Sequence, residues 1–223
     1  MAMVIRRPTF LRQWQEMFYG MYHVQDQAHY PLSEMLLRVF EEATKVSEGV
    51  RKIDEMDGDR SEMVSALPIY FCWLLSACNE ANIDLEAAVW EKYKGCCPYC
   101  GRAKNCMCIT VNGKPANWYL NSSAEMPADL PGWQEMFKRI YGNINKLASP
   151  VSIWLHVLEE MGEVSKEIRF KNWSKAKDEA ADCYAWLMAF CNKLGVRLDD
   201  ITWNTYPGIC NVCRKEKCQC PKV

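Results

Sequence analysis

A run of five residues, Trp-Gln-Glu-Met-Phe, occurs twice in this chain of 223 residues, at 14–18 and at 133–137. Further matches follow in the same order: Val39-Phe-Glu-Glu42 with Val157-Leu-Glu-Glu160, Trp73-Leu74 with Trp186-Leu187, and Trp90 with Trp203. The offset between matched residues drifts only from 119 to 113. Such a long period indicates a duplicated domain rather than a solenoid of short repeats.

We therefore predict two tandem repeats, 8–108 and 127–220, joined by a linker over 109–126. The connecting stretch is rich in Asn, Gly, Ser and Pro, a composition typical of turns and linkers. The chain length allows two domains of about 100 residues each. We expect the two repeats to pack as an internal pseudo-dimer, and a homodimer of whole chains is left open.

The pattern within each repeat is helical. Pro31 and Pro150 stand where a helix can begin, because the first helical position tolerates proline. Apolar residues then recur at spacings of three and four, an amphipathic stripe: Ile153, Val157, Met161, Val164 and Ile168. Ser174 is predicted to cap the next helix, Gly195 to end it, and a short helix to follow near 198–205. The predicted fold class is all-α, with about four helices per repeat.

Eight of the 13 cysteines form two clusters that end the two repeats, within 97–108 and 210–220. Both read Cys-x₂-Cys followed by Cys-x-Cys: Cys97, Cys100, Cys106 and Cys108, then Cys210, Cys213, Cys218 and Cys220. Four thiolates suit a tetrahedral Zn²⁺ and leave no open position, so we predict two structural zinc knuckles. Cys96 is a substitute ligand with poorer spacing. Disulfides would require an oxidising compartment.

Four carboxylates in the second repeat carry the spacing of a metal site: Glu160, Glu163, Glu179 and Asp182. Each pair is three residues apart, so its members share one helix face. Two antiparallel helices can direct all four toward one point, where their repulsion and burial are costly without a cation. Oxygen ligands favour Mg²⁺ or Mn²⁺.

Ordinary solvated charges are the alternative reading of these acids. Asp182 argues against it, because that residue lies in a segment that is apolar nearly all round. The first repeat keeps Glu42 but has Lys45, Ala66 and Ile69 at the other three positions. This difference is expected if the site is needed only once.

The segments 157–167 and 178–182 resemble the two motif helices of the all-α nucleotide pyrophosphohydrolases, the MazG-like and dimeric dUTPase superfamily. The stretch 194–200 is similar to the one that opens the family's last helix. The resemblance implies hydrolysis of a (deoxy)nucleoside triphosphate to the monophosphate and pyrophosphate. It implies Mg²⁺ on the four acids, with Glu160 or Glu163 acting on the attacking water.

For substrate binding, Lys171, Lys175, Lys177 and Lys193 could meet phosphate charge and Trp186 could stack on the base. A solvated loop for the lysines and a core position for the tryptophan are the alternatives. The family's basic C-terminal element has only Asn204-Thr-Tyr206-Pro207 as a counterpart, which lacks the basic residues.

A second class of function is a non-catalytic module that senses nucleotides or scaffolds a partner. The formal net charge of −1 disfavours nucleic acid and anionic membranes as partners. Nucleic-acid binding by the knuckles, through basic residues such as Arg102 and Arg214, is a weaker alternative. We find neither a secretory signal near the N-terminus nor an apolar run of about 20 residues, so we expect a cytoplasmic protein without a membrane partner.

Overall fold

The computed structural model describes residues 6–53, 60–106, 108 and 124–221. Within these residues there are eight helices and no strand, so the all-α prediction is confirmed. The helices are α1 (Leu11–His29), α2 (Leu32–Lys52), α3 (Ser61–Glu80), α4 (Leu85–Tyr93), α5 (Leu130–Asn145), α6 (Pro150–Arg169), α7 (Trp173–Leu194) and α8 (Leu198–Thr205). Most of the predicted linker lies outside the described residues.

The chain divides into two compact units whose bounds differ from those of the predicted repeats. Unit 1 is Met1–Leu85 with Leu198–Val223, and unit 2 is Glu86–Arg197. Unit 1 thus contains α1, α2, α3, α8 and the second cysteine cluster, whereas unit 2 contains α5, α6, α7, nearly all of α4 and the first cysteine cluster. Helix α4 and the first cysteine cluster, which end the first predicted repeat, therefore belong to the unit of α5, α6 and α7. Helix α8 and the second cluster, which end the second repeat, belong to the unit of α1, α2 and α3. The duplication and the pseudo-dimer stay predictions.

The ends of the long helices in unit 2 follow from local chemistry. Pro150 is the first residue of α6, and the Ser149 side chain accepts a hydrogen bond from the Ser152 backbone N–H. Gly195 ends α7 in the left-handed conformation, at φ 68°, as predicted. The predicted cap at Ser174 is wrong: α7 begins at Trp173 with Asn172 as its N-cap, because the chain turns tightly just before it.

Each unit has a long central helix that packs on at least two others. In unit 2, α7 packs against α6 and α5, and in unit 1, α3 packs against α2, α1 and α8. The same side-chain bonds recur in both. Asn79 donates to the backbone carbonyl of Gln15 at 3.1 Å, and Asn192 donates to that of Gln134 at 2.9 Å. Partly buried hydrogen bonds of this kind contribute about 1 kcal/mol each to stability.

Helix α3 is long and apolar enough to cross a membrane by length and composition. Its most apolar window is 67% buried within the protein, as in the core helix of a globular domain. Pro68, inside this helix, is also buried. Burial in the protein therefore accounts for the apolar character of this helix.

The unit bounds predict how the chain can be cut. A fragment 86–197 keeps α4, α5, α6, α7 and the first cysteine cluster, so we expect it to be helical and to retain one zinc. A fragment 127–220, which follows the repeat instead, loses α4 and should be poorly folded. Circular dichroism and elemental analysis of both fragments check this. A well-folded 127–220 beside an unfolded 86–197 would contradict the unit bounds.

Candidate metal centres

The two cysteine tetrads have the geometry of closed tetrahedral zinc sites. In each, four sulfur atoms lie within 4.8 Å of one another. The Sγ atoms of Cys97 and Cys108 are 3.5 Å apart, and those of Cys210 and Cys220 are 3.8 Å apart. A zinc–sulfur bond of about 2.3 Å gives a tetrahedron with edges of about 3.8 Å. All 13 cysteines are free thiols, and Cys96 is outside both tetrads. Each tetrad could therefore hold one zinc ion.

Each tetrad is anchored to the first long helix of its own unit. In unit 2, the Cys106 N–H donates to the Ile140 carbonyl of α5 at 2.7 Å, and in unit 1, the Cys218 N–H donates to the Met21 carbonyl of α1 at 2.8 Å. Tyr141 and Tyr22, on the same helices, hydrogen-bond Cys97 and Cys210 respectively. Hydrogen bonds of this kind orient metal ligands and compensate charge on their sulfur atoms.

Three carboxylates converge between α6 and α7 in unit 2. Glu160, Glu179 and Asp182 each offer an oxygen, and these oxygens lie within 4.8 Å of one another. Burial raises the pKa of Glu160 to about 7, with further contributions from the charges of Asp182 and Glu179. Burial and the Asp182 charge also raise the pKa of Glu179. The group is therefore a half-buried cluster of like charges, the arrangement that a hard cation stabilises.

Glu163, the fourth predicted ligand, is not in this group. Its carboxylate accepts a bond from the Lys166 ammonium at 2.8 Å, near the surface. It remains near enough to contribute to the raised pKa of Glu179. The structure thus brings three of the four predicted acids together and pairs the fourth with a lysine on its own helix.

Two residues that we did not predict complete the surroundings of Asp182. The Lys92 ammonium contacts one Asp182 oxygen and donates to the Asp178 carbonyl at 3.1 Å. The Tyr93 hydroxyl donates to the other Asp182 oxygen at 2.7 Å. Burial and the Asp182 charge raise the pKa of Tyr93, so its hydroxyl stays a donor. Helix α4 therefore supplies a cation and a hydrogen bond to the acids of α6 and α7.

A signal for these two residues exists in the sequence. When Trp90 is matched with Trp203, Lys92 and Tyr93 fall opposite Thr205 and Tyr206. The second repeat thus lacks a basic residue at its end, where it has Thr205, whereas the first repeat has Lys92 at the matching position. Finding it required knowing that α4 belongs to the same unit as α6 and α7.

Trp186, the predicted base-stacking residue, lies one turn from Asp182 on α7. Its ring stacks on the His156 ring at 4.2 Å between centroids, with 15° between the planes. His156 lies one turn from Glu160 on α6, so the stacked pair adjoins the acid group. The side chain of Trp186 is only partly buried.

The predicted phosphate-binding lysines lie at different distances from the acids. Lys175 is exposed and one turn before Glu179, on the same face of α7. Lys171 is exposed in the turn before α7, and Lys177 pairs with Glu91. Lys193 donates to the Lys146 carbonyl at 3.0 Å and is about 16 Å along α7 from Asp182. Lys175 is thus better placed than Lys193 to reach a ligand at the acids.

No protein-family model, curated protein or solved structure matches this chain. A function for it therefore has to come from its own residues.

The zinc assignment can be tested with a matched pair of cysteine variants. Cys106→Ser removes a ligand and should leave one zinc per chain instead of two, with a lower melting temperature, because metal binding in such sites contributes to folding. Cys96→Ser, ten residues away and also buried, should keep two. Elemental analysis and thermal denaturation measure both. Zinc loss in the Cys96 variant alone would contradict the tetrad.

Proposed function

We propose that the chain hydrolyses a (deoxy)nucleoside triphosphate to the monophosphate and pyrophosphate, at one metal-dependent site in unit 2. The observation that supports it is the convergence of Glu160, Glu179 and Asp182 beside the Lys92 ammonium. This arrangement combines oxygen ligands for a cation with a positive charge for an anionic substrate. The resemblance of 157–167 and 178–182 to the pyrophosphohydrolase motifs names the reaction.

The acid group fits Mg²⁺ or Mn²⁺ better than zinc. Its ligand atoms are all carboxylate oxygens, which hard cations prefer, whereas the sulfur ligands of the chain are gathered in the two tetrads. Bound there, such a cation polarises phosphoryl oxygens and lowers the pKa of a bound water. Glu163, one turn from Glu160, would reach the group only after leaving Lys166.

The side chains around the acids suit the steps of hydrolysis. The oxygen of a water molecule attacks the α-phosphorus, its proton passes to a carboxylate, and the bond from the α-phosphorus to the bridging oxygen breaks. Glu160 is better placed than Glu163 to take that proton, because it lies within the group, and no lysine among the described residues forms a salt bridge with it. Lys92, and Lys175 beyond it, meet the charge of the departing pyrophosphate. Trp186 offers a flat surface to the base.

A second candidate, nucleotide sensing or scaffolding without turnover, is favoured by one contact. Lys92 already bonds Asp182, so part of the charge of the acid group is balanced within the protein. A unit balanced in this way could bind a nucleotide without cleaving it. Product analysis separates the two candidates.

The reaction is tested by product analysis on the zinc-loaded chain. We expect pyrophosphate and a nucleoside monophosphate in equal amounts when Mg²⁺ and the preferred triphosphate are present. A screen over common and modified nucleoside triphosphates, read out by pyrophosphate release and anion-exchange chromatography, measures this. Release of inorganic phosphate with a diphosphate would contradict the proposed bond cleavage. Binding without any product would favour the sensing module.

Two neighbouring substitutions test the acid group. Asp182→Asn removes a ligand charge at nearly constant shape, so we expect turnover to fall by about 10²-fold or more while helicity is kept. Asp178→Asn is the control, because that exposed side chain is outside the group and its backbone carbonyl is unchanged. Steady-state kinetics and circular dichroism give the comparison. Parent-like turnover in the Asp182 variant would place the site elsewhere.

The raised pKa of Glu160 predicts a pH dependence for metal binding. Below about pH 7 this carboxyl is increasingly protonated in the metal-free protein, and a metal ligand must lose its proton. Mn²⁺ affinity should therefore fall as the pH drops from 8 to 6, approaching about tenfold per pH unit for one displaced proton. Isothermal titration calorimetry on zinc-loaded protein measures it. Equal affinity at both pH values is the contrary result.

A further inference from the structure

Unit 1 contains a cavity at the position that corresponds to the acid group of unit 2. Its volume is about 330 Å³, within the range of small-molecule sites. In the repeat alignment, Glu42 corresponds to Glu160, Ile69 to Asp182 and Trp73 to Trp186, and all three unit 1 residues line the cavity. Where unit 2 gathers three acids, unit 1 has a half-open cavity and keeps only one of them, as Glu42.

The cavity wall contains two buried carboxyl groups. Asp26 is 8% exposed and Glu42 is 7% exposed. Lys45 bonds one oxygen of Glu42 at 2.7 Å, while the other, Oε2, is buried without a hydrogen-bond partner among the described residues. An unsatisfied buried acceptor is costly, so a ligand whose N–H reaches Oε2, once the Glu42 carboxylate turns toward the cavity, gains the bond that the protein lacks.

The cavity wall carries charges of both signs. Among the described residues, two acidic side chains (Asp26 and Glu42) and two basic ones (Arg38 and Lys45) line it, together with three cysteines of the second tetrad, Cys210, Cys218 and Cys220. A charged ligand would therefore meet a like charge as well as an opposite one, which favours an uncharged ligand.

The remaining wall is mainly aromatic and apolar. Tyr22, Tyr30, Trp73 and Tyr206 line the cavity, with Tyr30 and Trp73 edge to face at 5.5 Å between centroids. Flat rings of this kind stack on planar ligands such as nucleobases.

We propose that this cavity binds an uncharged planar nitrogen heterocycle that carries an amino group, the chemistry of an amino-bearing nucleobase. The amino group donates to the carboxyl wall and the ring stacks on the aromatic wall. This site goes beyond the proposed function and does not rest on it. It requires no divalent cation other than structural zinc, because the acids at the positions of Glu179 and Asp182 are replaced by Ala66 and Ile69.

Calorimetric titrations of the intact, zinc-loaded chain without Mg²⁺ test the proposal. Two ligand pairs differ at the amino group: adenosine against inosine, and cytidine against uridine. We expect at least one amino-bearing member to bind with one site per chain, at least tenfold tighter than its partner, because the partner leaves the buried acceptor unpaired. Adenine beside adenosine shows whether the free base suffices.

Variants of the chain locate the site. Glu42→Gln, nearly isosteric, and Trp73→Ala should each weaken binding at least tenfold, whereas Asp182→Asn in unit 2 should leave it unchanged. Circular dichroism and the zinc content confirm that the variants are folded, and the ligand pairs on the parent chain need no variant. Absence of saturable binding at 5 mM, equal binding within both pairs, or loss of binding in Asp182→Asn alone would overturn the proposal.

Discussion

The repulsion among three half-buried carboxylates between α6 and α7 is the constraint on which the arrangement of unit 2 depends. Glu160, Glu179 and Asp182 cannot all be ionised in so small a space without positive charge nearby, which is why burial and their neighbours raise the pKa values of the two glutamates. Lys92 supplies part of that charge. Since Lys92 lies on α4, which precedes α5 in the chain, the unit has to include a helix from the first predicted repeat.

The zinc tetrads would hold in place the two short helices, α4 and α8. Helices α4 and α8 have 9 and 8 residues, too short to be stable on their own. Each is followed at once by a cysteine cluster that bonds the first long helix of the same unit through Cys106 or Cys218. A zinc ion in each tetrad would fix that cluster, and with it the short helix. In unit 2, the helix so held is the one that carries Lys92 and Tyr93.

The sequence was sufficient to predict the all-α class, the two cysteine tetrads and three of the acids that converge in unit 2. The stripe from Ile153 to Ile168 and the glycine at 195 define two helices, and local spacing alone assembles the tetrads. Two things were beyond it. The ion pair between Glu163 and Lys166 depends on how side chains turn on a helix surface, and three-residue spacing does not decide this. Long-range packing decides that α4 belongs to the unit of α6 and α7, and that α8 belongs to the unit of α2 and α3. From the sequence, we looked for the family's basic element at 204–207, in the repeat that carries the acids, and so did not consider Lys92.

Turnover by a Lys92→Met variant tests most directly whether α4 completes the site. Removing this ammonium takes a competing cation from Asp182, so Mn²⁺ should bind at least as tightly as in the parent chain. In the proposed reaction the same change removes the charge that meets the leaving group, so kcat/KM should fall at least tenfold. Lys177→Met is the matched control, because Lys177 pairs with Glu91 outside the acid group. We predict that the Lys92 variant binds Mn²⁺ tightly but loses turnover, and that the Lys177 variant keeps both. A Lys92 variant with the parent's kcat/KM would contradict the account.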